Sequence, residues 1–111
     1  MPGYQFDREF FRLQYPVDAA PKFVEAGLGH RVVDIGEGGF RYAPTEGVIP
    51  AEGTPVKGTL EFPDEDPLEV AGVVVRIQSG EVAVHCTPRG IPMALVIREQ
   101  LRVRRRYPFR G

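Results

Sequence analysis

The sequence predicts a mainly β fold: a small antiparallel β-barrel of six short strands with one C-terminal α-helix. Three observations carry this. The 111 residues, 42% hydrophobic and 26% charged, suit one domain that can bury a core without metal or disulfide staples. The 13 glycines and 11 prolines are spread along the chain, which marks frequent turns between short strands rather than a low-complexity linker. After Pro92 the run of strand patterns gives way to good helix formers.

The elements follow in order. Residues 1–18 read as an irregular, flexible N-terminal loop, since Pro2, Gly3 and Pro16 discourage a helix. Residues 19–26 read as a strand whose early Pro21 argues for a sheet edge. Gly27 and Gly29 then turn the chain into Arg31–Ile35, a half-buried strand with Arg31, Val33 and Ile35 on one face and Val32 and Asp34 on the other. Gly36–Gly39 breaks that strand, Phe40–Ala43 resumes it, and Pro44–Pro55 is a turn-rich connection.

Val56, Gly58, Leu60 and Phe62 alternate with Lys57, Thr59 and Glu61 across the next strand. After the acidic turn Asp64–Pro67, Leu68–Gln78 is expected to bury Ala71, Val73, Val75 and Ile77. Ser79-Gly80 fits a two-residue hairpin loop into Glu81–Cys86. Pro92 suits a first helical position, and a helix runs to about Arg106 with Ala94, Ile97 and Leu101 expected to cap one end of the barrel. The expected organisation is a loop over 1–18, the barrel and helix over 19–106, and a basic tail over 107–111.

Charge is unevenly placed. Residues 1–90 hold 8 Lys/Arg against 14 Asp/Glu, a net of −6, whereas residues 91–111 hold 6 Arg against 1 Glu, a net of +5. Arg98, Arg102, Arg104, Arg105, Arg106 and Arg110 thus form a basic feature on an acidic body. A basic helix end is favoured by the helix dipole; a partner-docking patch, a contribution to a bound phosphate or weak nucleic-acid binding are the other readings. The acidic body argues against nucleic acid. One cysteine, Cys86, rules out a disulfide within the chain and fits a reducing compartment. The start lacks the apolar run of a signal peptide, no stretch approaches the ~18 apolar residues of a membrane helix, and a cytoplasmic protein is expected.

No catalytic set is visible. His85 and Cys86 are neighbours on a strand and point to opposite faces, so with His30 they make no metal site, and Cys86 shares the core face with Val82 and Val84. There is no HExxH, no CxxC and no Ser/His/Asp grouping.

Two clusters carry chemistry. Arg8 and Arg12, in Arg8-Glu9-Phe10-Phe11-Arg12, present planar five-donor forks that match phosphate oxygens and the O6/N7 edge of guanine. Phe10 and Phe11 would anchor this segment to the barrel. Asp34, in Asp34-Ile35-Gly36-Glu37-Gly38-Gly39, is an acceptor able to receive guanine N1–H and N2–H₂. The glycines let backbone approach a ligand and offer successive N–H groups. Taken singly, the arginines also read as solvated charges beside Asp7 and Glu9, and the glycine run as a bulged hairpin turn.

Together, the two clusters resemble the motifs of a PilZ domain, the bacterial receptor module for cyclic di-GMP. That family carries RxxxR in an N-terminal loop and [DN]xSxxG some 20–30 residues later. Arg8 and Arg12 match the first motif, Asp34 and Gly39 the second, and the likeness extends through Arg31–Phe40 and Leu68–Val75 over roughly residues 8 to 105. Gly36 stands where the family has serine, so one hydroxyl contact is missing; such a bond is typically worth ~0.5–1.5 kcal/mol.

The resemblance implies a non-enzymatic receptor without cofactor or metal, binding cyclic di-GMP through Arg8, Arg12, Asp34, Gly36 and Gly39. The arginines would hold phosphates and guanine, Asp34 and the glycine loop would grip the other guanine edge, and the N-terminal loop would order over the barrel. A protein partner in motility, secretion or exopolysaccharide control is implied, with neither membrane insertion nor nucleic acid. The alternative is a PilZ-like adaptor that no longer binds nucleotide. Asp7, just before the first motif, would repel additional phosphate and favours one bound molecule.

Overall fold

The computed structural model describes residues 12–45 and 49–106. Seven strands and one helix follow in order: β1 (Arg12–Gln14), β2 (Lys22–Glu25), β3 (Leu28–Gly36), β4 (Gly39–Ala43), β5 (Pro55–Glu61), β6 (Leu68–Gln78), β7 (Glu81–Cys86) and α1 (Met93–Arg106). The strands β3, β2, β5, β6, β7 and β4 pair antiparallel in that order, and β4 returns to β3, closing the six-stranded barrel. Closure leaves these strands without a bare edge.

The additional strand β1 differs from the irregular leader that the prolines predict. Its residues Arg12, Leu13 and Gln14 lie opposite Gly36, Ile35 and Asp34. They take the edge of β3 that β2 leaves after pairing with residues 28–31. A 3-10 turn over Val17–Ala19 lies between β1 and β2. The predicted edge position of β2 is also corrected. Pro21 falls just before the strand, where its missing N–H costs nothing, and β2 is paired on both sides.

Two bulges overturn the predicted faces of β3 and β6. The pairing slips by one residue at Val33 and again at Val75. An extra residue reverses the in–out alternation beyond it. In β3 the buried series is therefore His30 and Val32, then Ile35. In β6 it is Val70, Gly72 and Val74, with Ile77 returning to the core side after the slip. Ala71 and Val73 are only half-buried and Val75 is exposed, because this strand is apolar on both faces and composition could not choose between them.

Phe23, Phe40 and Tyr42 form the aromatic centre of the core, with ring centroids 4.8 Å and 5.1 Å from Phe23. His30 joins them 5.0 Å from Tyr42, and its Nδ1 accepts the Thr45 backbone N–H at 2.9 Å. Cys86 is buried within the same core.

Helix α1 packs with the face opposite to the one predicted. Leu95, Val96, Glu99, Arg102 and Val103 are buried, while Ile97 and Leu101 are 45% and 49% exposed and Ala94 is exposed too. The cause is a polar pair that belongs inside. Arg102 donates from Nε to Glu99 Oε2 at 2.8 Å and from Nη2 to Glu99 Oε1 at 2.9 Å and to the Ala19 carbonyl at 3.0 Å. Tyr15 donates to Glu99 Oε1 at 2.7 Å. Charges can be buried when paired and hydrogen-bonded in this way. The segment after β1 is thereby fastened to the helix.

Candidate functional site

The bulge at Val33 is what gives Asp34 its place. Ile35 points into the core opposite Phe40, so Asp34 stands on the other face of β3 with Gln14 across from it on β1 and Arg41 across from it on β4. The Arg12 Nη2 donates to Asp34 Oδ1 at 2.5 Å. From the other side Arg41 donates to Asp34 Oδ2, from Nε at 2.7 Å and from Nη2 at 2.5 Å. Asp34 is completely covered by this arrangement, although Arg12 and Arg41 keep 42% and 33% of their side chains exposed. Arg41 Nη1 also lies 3.5 Å from Glu81 Oε1. Its hydrogen bonds to Asp34 hold the Arg41 guanidinium above its ordinary pKa, outweighing partial burial. Arg12 and Arg41 are balanced in charge by Asp34 and Glu81, and what the cluster offers an anion is two part-exposed guanidinium forks.

The glycines lie beside this cluster. Gly36 pairs with Gly39 at the base of the β3–β4 hairpin, and Gly36 also lies opposite Arg12. Gly39 is obligatory, since a Cβ there would fall 1.9 Å from the Val84 carbonyl oxygen. The hairpin tip is held from below by the end of β7 and the segment that follows it. Cys86 N–H donates to the Gly38 carbonyl at 2.8 Å, and Ile91 N–H to the Glu37 carbonyl at 2.9 Å. Gly90 permits that approach, since a Cβ on it would fall 2.1 Å from the same Glu37 oxygen. The tip is thus a fixed backbone surface. The exposed His85 stands opposite Gly39, and its Nδ1 would lie 4.0 Å from a Cβ on Gly38.

Of the residues singled out in the sequence, Arg12, Asp34, Gly36 and Gly39 are brought together here. Arg8 lies outside the described residues, as do the rest of the segment through residue 11 and the tail 107–111. Arg41 was missed. It could have been found by counting outward from the hairpin: the pairs 36–39 and 35–40 lead directly to Asp34 and Arg41. The helical arginines are dispersed. Arg102 is buried on Glu99, and Arg98 pairs through Nε with Glu65 at 3.0 Å.

With this geometry in place, comparison with known proteins is decisive for the family. The PilZ domain model matches residues 6–106. The chain belongs to the PilZ domain family. PilZ domains are receptor and adaptor modules rather than enzymes. No curated protein matches the chain. Among solved structures, the PilZ chain is similar to the uncharacterised Legionella protein Lpg0364, with 19% identity, a TM-score of 0.55, and coverage of 90% of this chain and 97% of that one. It is also similar to the Bacillus subtilis inhibitor of motility MotI/DgrA, with 19% identity, a TM-score of 0.63, and coverage of 94% of this chain and 53% of that one. At these identities both likenesses speak for the fold. No helix among the described residues is long and apolar enough to cross a membrane.

Proposed function

We propose that this PilZ domain is a cytoplasmic, non-enzymatic receptor for cyclic di-GMP. Arg8 and Arg12 would bind the ligand's phosphates and guanine, Asp34 would accept from a guanine Watson–Crick edge, and the backbone at Gly36 and Gly39 would let the ligand approach closely. The observation that carries this reading is the meeting of Arg12 and Asp34, 22 positions apart in sequence, beside the Gly36–Gly39 hairpin base. Occupancy would be relayed to a protein partner in motility, secretion or exopolysaccharide control through rearrangement of the N-terminal segment that carries both arginines.

Calorimetric titration of the purified chain with cyclic di-GMP tests the proposal. Binding at micromolar affinity or tighter, with one molecule per chain, is the expected result. Absence of both heat and a melting shift at high ligand would defeat it. The missing hydroxyl at Gly36 favours a second reading, an adaptor that docks to its partner without nucleotide. Capture of one defined partner, unchanged by ligand and by Arg12→Ala, would select that reading.

A further inference from the structure

The complete cover over Asp34 has a consequence for how a base reaches it. Resting on the cyclic di-GMP reading above, we propose that Arg41 is a positioning residue for guanine recognition and Arg12 is the exchangeable half of the cover. A guanine edge offers N1–H and N2–H₂ and needs free lone pairs on the carboxylate. Asp34 is 0% exposed, so one arginine must leave before a base can bond there.

The two arginines are held very differently. Arg41 sits on β4, which is paired to β3 on one side and β7 on the other. It places two nitrogens on Asp34 Oδ2 and a third 3.5 Å from Glu81. Arg12 sits on a three-residue strand, is the more exposed of the two, and reaches Asp34 Oδ1 through one nitrogen. Arg12 therefore leaves. Its guanidinium moves from Oδ1 to the ligand phosphate, and guanine takes its place on Asp34. Arg41 stays on Oδ2 and keeps the carboxylate aimed outward. Resting-state contact between Arg12 and Asp34 is a latch that the ligand exchanges, and Arg41 sets the base preference through Asp34.

The test compares cyclic di-GMP with cyclic di-AMP, whose adenine lacks the N1–H and N2–H₂ donors. Titrations are run on the full chain and on Arg41→Ala, Asp34→Ala and the double variant, with melting curves to verify folding. The expected result is that Arg41→Ala weakens cyclic di-GMP by about tenfold or more and lowers its preference over cyclic di-AMP toward that of Asp34→Ala. The double variant is then no weaker than Asp34→Ala alone.

Equal losses for both dinucleotides, or additive losses in the double variant, would place Arg41 on the phosphates and overturn the inference. Wild-type affinity in Arg41→Ala would overturn it while leaving the receptor reading intact. No binding by the unmodified chain would overturn both. If Arg41→Ala does not fold, Arg41→Lys carries the test. It keeps the charge without the fork, and the same loss of guanine preference is expected; retained preference overturns the inference.

Discussion

The Tyr15 hydroxyl donates a 2.7 Å hydrogen bond to Glu99, joining the segment after β1 to the middle of α1 across 84 positions of chain. Glu99 is 0% and Arg102 5% exposed, so this is a buried pair with a third partner. Removing one ion of such a pair leaves the other uncompensated, typically at a cost of about 3–5 kcal/mol, whereas replacing both with apolar residues is often close to neutral. Glu99→Leu is therefore expected to cost about 3–5 kcal/mol. Glu99→Leu with Arg102→Leu should recover part of that loss, since it removes both charges but leaves the Tyr15 hydroxyl and the Ala19 carbonyl unpaired, and Tyr15→Phe should cost about 1–3 kcal/mol. Urea unfolding measures all three. A double replacement no more stable than Glu99→Leu alone would count against a mutually compensated pair.

Most of the fold was legible because turns and apolar runs are local features. Ser79 and Gly80 have φ of 55° and 78°, and the hairpin they close pairs Gln78 with Glu81 as their positions suggest. What could not be read were events set by a neighbouring strand. The slips at Val33 and Val75 are defined only by their partners on β4 and β7. The sequence around Val75 is valine on both faces, so periodicity carries no sign of which face is inside. The helix misled for the opposite reason. Glu99 and Arg102 look like a solvated pair, and their burial rests on Tyr15 and the Ala19 carbonyl, both distant in sequence. At the site, Asp34 and its glycines were marked by residue type, while Arg41 was marked only by register.

On the receptor reading proposed above, a hydroxyl introduced at Gly36 should strengthen cyclic di-GMP binding. Gly36 is not among the positive-φ residues, so a side chain meets no left-handed backbone there. It lies directly opposite Arg12 and next to the hairpin glycines. A new hydrogen bond to the ligand is worth about 0.5–1.5 kcal/mol, so Gly36→Ser is expected to tighten cyclic di-GMP binding by up to about tenfold. Calorimetry on the two chains measures this. Unchanged affinity in a folded Gly36→Ser chain would mean that the hydroxyl does not reach the ligand.

Neighbouring glycines at the hairpin should respond in opposite ways to the same change. A Cβ on Gly39 would lie 1.9 Å from the Val84 carbonyl oxygen and 3.2 Å from the Cys86 nitrogen, both backbone atoms. Gly39→Ala must push β4 away from β7 and is expected to cost at least about 2 kcal/mol. A Cβ on Gly38 would meet only the end of His85, at 4.0 Å. Gly38→Ala should stay within about 0.5 kcal/mol of the parent. Thermal melting distinguishes them, and equal melting temperatures would refute the close approach at Gly39.

Alkaline pH should unfold this barrel in stages set by buried protons. Burial pushes the Cys86 thiol from 9.0 up to about 11. Burial first, and then the neighbouring Glu99, push the Tyr15 hydroxyl well above its ordinary 10.0. In the unfolded chain both groups lose their protons at the lower, ordinary values. The unfolded state therefore binds fewer protons than the folded state above those values, and stability falls as pH rises. The contribution of Cys86 is complete below pH 9.0 and is lost as pH climbs toward about 11. That of Tyr15 begins to be lost only above 10.0. Melting temperature measured from pH 8 upward should accordingly be level at first and decline beyond pH 9. In Cys86→Ala the decline should start about one pH unit later, where tyrosine takes over. Burial also raises the Tyr42 hydroxyl, so Tyr15→Phe should make the curve above pH 10 less steep without levelling it, and should leave the earlier decline in place. A melting temperature that is constant to pH 11 would mean that neither proton is held by the fold.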